Sequence, residues 1–261
     1  MVKYFFLGSL LPPLKIANKP ELSFRDVLDI VDLNITSIDL KKLFSLRQYV
    51  DIKNVYFFLK KQPLDPRGNY GKKELEEALL HREGLPRYLF AYFDRYETLK
   101  EQQSNFSKVL IRFFTEMGHK ENKRKGFLSF YFTFEREWRL ILAGQRAKNL
   151  GVDIAKALQH EDFTDPFVTQ IITQKDSTSF EFPCGYETLG EKLREVRGDP
   201  KKEYEVMAIF RFEKIAEMVQ DIPFSIDYIL GYFVQLMIVE DYHFLDDMEG
   251  EQRLTKIVSN I

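Results

Sequence analysis

The sequence predicts a mainly all-α protein built from repeated helical units, with a short extended segment at its N-terminus. Three observations carry that expectation. Leu43, Leu46, Val50 and Phe57 fall at spacings of three, four and seven, the period of a helix with one buried face. Serine, threonine, proline and glycine stand where such stretches start and stop, as caps and breakers do. Three stretches, beginning near Asp51, Glu137 and Glu240, also follow one theme: a long apolar helix carrying an acid, a break at glycine, then a short amphipathic helix.

The elements follow in order. Tyr4 to Leu11 is an apolar run that resembles a short export signal, but Pro12 and Pro13 end it and no small-x-small cleavage site follows. It is also far shorter than the ~20 residues needed to span a bilayer, so it reads as a buried strand or extended segment. Ser23 caps a first helix through Asn34, and Thr36 or Ser37 a second running to about Lys61, which Pro63 and Pro66 stop. Residues 64–71 form a turn, because proline fixes one dihedral and glycine supplies positive φ. Helices follow from Lys72 to His81, from Pro86 to Leu99, and from a cap at Ser104 to Gly118.

Residues 119–126 form a charged link, which divides an N-terminal helical half, 1–118, from a C-terminal helical half, 127–261. The next helix carries Phe127, Phe130, Phe134, Trp138 and Ile141 on one stripe, with Arg136, Arg139 and Arg146 largely off it, and Gly151 closes it as a C-cap. Short helices are expected over Val152 to His160 and Pro166 to Thr173, then a polar loop with one short extended piece up to Gly185. The last third reads as a helix from about Lys201 to Gln220, a break at Pro223, and a helix capped by Ser225 that ends near Leu245. Tyr228 to Val239 carries no charge, which suits a central core helix.

The repeat units lie near 36–81, 127–160 and 224–261. The first pairs Asp51 and Asn54, breaks at Gly68 and Gly71, and continues with Leu75, Ala78 and Leu79. The second pairs Glu137 and Leu140, breaks at Gly151, and continues with Ile154, Ala157 and Leu158. The third pairs Glu240 and His243, breaks at Gly250, and closes with Leu254, Ile257 and Val258.

Composition limits function. The chain has 261 residues, enough for one large domain or two small ones, and 44% hydrophobic content supplies a core. Its 38 basic and 40 acidic residues nearly cancel, so no global field favours nucleic acid or anionic lipid. A single cysteine, Cys184, forms no internal disulfide or multi-cysteine metal site and fits a reducing, cytoplasmic setting.

No catalytic, cofactor-binding or metal-ligating residue is assigned from the sequence. His81, His119, His160 and His243 lack paired metal-ligand spacing. Cys184 reads as a small buried thiol rather than a nucleophile. The pairs Glu76-Glu77, Asp246-Asp247 and Glu161-Asp162 are neighbours that diverge around a helix, which favours solvated or capping roles over shared-proton chemistry. No phosphate-cradling glycine loop occurs. The basic run Lys120 to Lys125 reads as a solvated linker, with contact to anionic headgroups or an acidic partner as the alternative.

Three segments carry a resemblance: Tyr4-Phe5-Phe6-Leu7-Gly8-Ser9-Leu10-Leu11-Pro12, the central stretch Glu135-Arg136-Glu137-Trp138-Arg139-Leu140-Ile141-Leu142-Ala143-Gly144, and Leu230-Gly231-Tyr232 through Leu245 to Gly250. They resemble an uncharacterised bacterial family encoded among V-type ATP synthase genes, and the central pattern is similar to the C-type subunit of those enzymes, the d-type subunit of eukaryotes. The resemblance implies a non-catalytic, all-helical spacer without cofactors, peripheral on the inner face of the cell membrane. Its implied partners are the central stalk and the membrane rotor ring, coupled during proton or sodium transport. Two alternatives stay open: a small helical enzyme whose site is assembled from distant residues, and a helical adaptor of another complex.

Overall fold

Helices account for every regular element of the computed structural model, which describes residues 4–121, 126–177 and 179–258 and contains no strand among them. In chain order they are α1 (Phe5–Leu10), α2 (Phe24–Asp32), α3 (Ser37–Leu59), α4 (Lys72–His81), α5 (Arg87–Arg95), α6 (Leu99–Asn105) and α7 (Ser107–Glu121). Then come α8 (Phe127–Asn149), α9 (Ile154–Ala157), α10 (Pro166–Ile172) with a 3-10 turn over Thr173–Asp176, α11 (Glu187–Glu195), α12 (Pro200–Val219) and α13 (Ile226–Val258). They form two compact units, Ser37–Phe180 and the pair of segments Met1–Thr36 and Glu181–Ile261.

Several start and stop signals behave as the sequence implies. Ser23 caps α2 in a capping box with Asp26, Asp165 caps α10 ahead of Pro166, and Asp199 caps α12 ahead of Pro200. Glu74 accepts the Gly71 N–H at 2.7 Å to open α4, and the Ser225 hydroxyl accepts the Tyr228 N–H at 3.0 Å to open α13. At the end of α8, Val152 N–H reaches Ala147 C=O and Gly151 N–H reaches Lys148 C=O, with Gly151 at φ 65°. That closure needs a left-handed residue, which glycine adopts without strain.

In the Ser37–Phe180 unit, α7 and α8 form an antiparallel pair, with α3, α5 and α6 against α7 and with α9 and α10 against α8. Aromatic rings fill the seam. Phe113 stacks on Tyr49 with centroids 5.7 Å apart and meets Phe132 edge-on at 5.5 Å. Such contacts add about 0.5–1.5 kcal/mol each beyond the area they bury.

The other unit is organised by α12 against α13, with α1, α2 and α11 packed on that pair. The uncharged stretch of α13 is its core: Ile229, Leu230, Phe233, Leu236 and Val239 are all fully buried. No helix among the described residues is long and apolar enough to cross a membrane.

Several expectations are corrected. Residues 5–10 are helical rather than extended, because Tyr4, Leu7 and Leu11 are buried at spacings of three and four while Phe5 and Phe6 face out. Ser104 lies inside α6 rather than capping a helix; Thr98, in a capping box with Glu101, starts α6 and splits the stretch expected from Pro86 to Leu99. Gly250 does not break the last helix, since α13 continues to Val258. One glycine costs only about 1 kcal/mol in a helix, less than the surrounding helix formers supply. The helix α11 carries too short an apolar pattern, Leu189 and Leu193, to stand out in the sequence.

The charged link at 119–126 lies partly outside the described residues, as residues 122–125 do. The helices flanking it, α7 and α8, belong to one unit, so the compact units do not follow the 1–118 and 127–261 halves.

Candidate functional site

Two of the three acids singled out by the repeat act as latches. In the Ser37–Phe180 unit, Asp51 is 1% exposed on α3 and accepts the Asn69 backbone N–H and the Asn69 side-chain amide, each at 2.6 Å. One turn on, Asn54 bonds Asp65 in both directions, its amide donating to the Asp65 C=O at 2.9 Å and its oxygen accepting the Asp65 N–H at 2.8 Å. Arg47 donates to the Arg67 C=O at 3.0 Å and to the Gly68 C=O at 2.5 Å. One helix face thereby fixes the whole proline-glycine turn.

Burial raises the Asp51 carboxyl above its ordinary value, against the bonds from Asn69 and Tyr70 and the charge of Arg47. Burial also acts on Asp65, but the bidentate grip of Arg67, at 2.8 and 2.7 Å, outweighs it and holds that carboxyl below the usual range. A side chain at position 68 would meet Asn54 Nδ2 and Asp51 Oδ1 at 2.8 Å, so only glycine admits the close approach.

In the other unit, Glu240 on α13 accepts the Phe24 N–H at 2.7 Å, satisfying a free donor at the N-terminus of α2. The third acid, Glu137, is half-buried on α8, where the fully buried acid is its neighbour Glu135. Trp138 is buried beside it, and the arginines of the same segment hold the chain after α9: Arg136 pairs with Asp165 at 3.0 Å and Arg139 with Glu161. The Arg139 guanidinium also lies over the Phe114 ring, 5.8 Å from its centroid.

The remaining singled-out residues scatter. His81 and His160 are exposed, and His243 meets Tyr242 edge-on at 5.4 Å. The His119 side chain, the Asp246-Asp247 pair and the stripe of Leu254, Ile257 and Val258 lie outside the described side chains, as does the basic run from Lys120 to Lys125. Glu76 and Glu77 are exposed on α4. Two expectations fail. Cys184 is exposed, because it sits in a turn that Gly185 closes at φ 86°, not in a packed interior. Glu161 is no solvated acid, since its side chain is 3% exposed against Arg139; Asp162 is exposed and accepts the Thr164 N–H at 2.9 Å in the turn ahead of α10, whose cap is Asp165. Among the described residues no three His, Cys, Asp or Glu converge to hold a metal ion.

What stands out on the surface is apolar. On α1, Phe5, Phe6 and Leu10 are 57%, 62% and 44% exposed, opposite the buried Leu7. Phe5 rests partly on Phe224, with ring centroids 5.0 Å apart, whereas Phe6 and Leu10 stand one turn apart.

The whole chain, residues 1–261, matches the family described as Protein of unknown function (DUF2764). A protein of Chlamydia muridarum (strain MoPn / Nigg), named as uncharacterized, is 28% identical over 267 residues, spanning 100% of this chain and 99% of its own length. An uncharacterized protein of Chlamydia trachomatis serovar D is 30% identical over 241 residues, 88% of each chain, and one of Chlamydia pneumoniae is 28% identical over 234 residues, again 88% of each. No solved structure matches the chain. On the full-length match, this chain belongs to the DUF2764 family.

Proposed function

We propose that this chain is a non-catalytic component of a V-type ATP synthase or ATPase, similar in role to the C-type subunit. In this reading it sits between the central stalk and the membrane rotor ring, couples them during proton or sodium transport, and meets the membrane through protein partners. The observation that carries the reading is the outward apolar face of α1, where Phe6 and Leu10 are 62% and 44% exposed inside a segment that bears the resemblance. Exposed aromatic anchors of this kind suit interfaces, which bury on the order of 1,200–2,000 Å² when stable.

The rest of the molecule supports a part that works by shape. Acids on and beside its helices hold loops and helix ends: Asp51 the turn after α3, Glu161 the chain after α9, and Glu240 the start of α2. The segment of α8 that resembles the C-type subunit anchors one of those loops through Arg136 and Arg139. Close-packed aromatic interiors resist compression, as a torque-bearing spacer requires.

The test is affinity purification of the tagged chain from native membranes in mild detergent. V-type ATP synthase subunits should accompany it in fixed ratio, and a Phe6→Glu, Leu10→Glu variant of unchanged thermal stability should lose them. Recovery of the wild-type chain only as a free monomer, from cells that make the complex, contradicts the proposal.

A further inference from the structure

The apolar face of α1 continues onto the turn between α12 and α13. At about 100° per helical residue, Phe5, Phe6 and Leu10 share an arc of about 140°, opposite the buried Tyr4, Leu7 and Leu11. The Phe224 ring borders that arc, 5.0 Å from the Phe5 ring and against Gly8, where a Cβ would meet Phe224 Cδ1 at 2.5 Å. Phe224 holds this place at φ 66°, a left-handed conformation that is strained for an aromatic residue, and its C=O accepts the Tyr4 N–H at 2.6 Å. Phe5, Phe6, Leu10 and the half-buried Phe224 therefore form one apolar surface, and exposed surfaces of this kind mark interaction sites.

The rim of that surface is acidic. Asp221 and Asp227 stand three residues before and after Phe224 in the chain. Glu21 is close enough for its charge to act on the Tyr232 phenol, whose hydroxyl donates to the Pro12 C=O just past α1 at 3.0 Å. Among the described residues none of these three carboxylates meets a cation within ion-pair distance, and the one cation in residues 4–18 is Lys15.

We propose that this surface receives a basic amphipathic helix of the partner protein, with apolar side chains set against Phe6 and Leu10 and lysine or arginine set against the acids. The assignment rests on α1 being the face that meets the V-type partner, and it specifies what that partner presents. Unpaired carboxylates around an apolar centre attract cationic side chains and reject like-charged partners. They also repel anionic headgroups, whereas a membrane anchor pairs its apolar groups with basic ones. No strand edge exists among the described residues to take an extended segment, and a helix face with Phe6 and Leu10 one turn apart suits packing by a second helix.

The test uses the full-length chain and three probes: a leucine–lysine peptide of about 14 residues with leucines at helical spacing, its leucine–glutamate counterpart, and phosphatidylglycerol vesicles. In NMR titrations at ~20 mM salt the lysine peptide should bind saturably below about 1 mM and at least about tenfold more tightly than the glutamate peptide. That preference should shrink at ~0.5 M salt, where screening shortens the reach of the rim charges. Phe6→Ser with Leu10→Ser should weaken the lysine peptide at least about fivefold, and Asp221→Asn with Asp227→Asn should do the same while leaving the glutamate peptide no weaker. Equal binding of the two peptides, a preference insensitive to salt, or unchanged affinity for the lysine peptide in either variant overturns the assignment. Vesicle binding that the Phe6→Ser, Leu10→Ser variant loses overturns it in favour of a membrane surface. The titrations need no other subunit: an intact peptide preference without co-purifying subunits contradicts only the V-type role, and co-purification without the preference contradicts only the basic helix.

Discussion

The Asp51 carboxylate holds Asn69 by both its backbone N–H and its side-chain amide, each at 2.6 Å, and so ties the turn after α3 back onto the helix that precedes it. A buried acid that anchors two donors is destabilising to remove, because the Asn69 backbone N–H loses its acceptor and the Asn69 amide keeps only the Phe44 C=O. Asp51→Ala should therefore cost about 3 kcal/mol in urea unfolding.

The pH dependence of two neighbouring acids should run in opposite directions. Asp51 is raised by burial, so the folded chain binds its proton more tightly than the unfolded chain, and its contribution falls as pH rises from the ordinary carboxylate range through the raised value. Asp65 is held low by Arg67, so its contribution is present above the ordinary value and is lost as pH falls through the lowered one. Denaturant titrations should find Asp51→Asn more costly in acid than at neutrality, and Asp65→Asn more costly at neutrality than in acid. The same trend in both variants would refute this electrostatic account.

Lys61 closes α3 with φ 56°, its N–H on Phe58 C=O and the Gln62 N–H on Phe57 C=O. This is the closure that Gly151 performs for α8 without strain. Lys61→Gly should raise stability by about 1 kcal/mol, read as a higher melting temperature.

Two helical glycines should respond in opposite senses to alanine. A Cβ at Gly144 would meet Ile171 Cγ2 and Phe180 Cε2, both at 2.8 Å, whereas at Gly118 it would meet nothing within 4 Å. Overpacking costs about 1–3 kcal/mol and exceeds the helical gain, so Gly144→Ala should destabilise. Gly118→Ala should stabilise by about 0.5–1 kcal/mol. Paired thermal melts check both signs.

Arg139 and Glu161 should be strongly coupled. Arg139→Met leaves the Glu161 carboxylate, 3% exposed, without its cation, which should cost about 3 kcal/mol. Adding Glu161→Met should recover part of that loss, so a double-mutant cycle returns a coupling well above the ~0.5 kcal/mol of an exposed pair.

Much of the helical order was legible because its signals are local. Ser23, Ser225 and the glycines at 71 and 151 mark helix ends through hydrogen bonds made within a few residues, and the uncharged run from Tyr228 to Val239 announces its own burial. The misses have non-local causes. Whether Tyr4 to Leu11 coils or extends depends on the Tyr4 N–H finding the Phe224 C=O, 220 residues away in sequence. The helix α11 does not stand out in the sequence, and within it a Cβ at Gly190 would lie 2.4 Å from the Phe182 ring, so that glycine marks a close contact made by the fold. Asp51 and Glu240 stood out as acids on apolar helices, but the partners they latch, Asn69 and Phe24, could be known only from the fold.

The most direct measurement reverses the tag. A V-type ATP synthase purified through a catalytic-head subunit and weighed intact by native mass spectrometry should carry this chain in fixed stoichiometry, and should lose it when Phe6 and Leu10 are replaced by glutamate. A complete, coupled complex from which the wild-type chain is absent would contradict the proposed role.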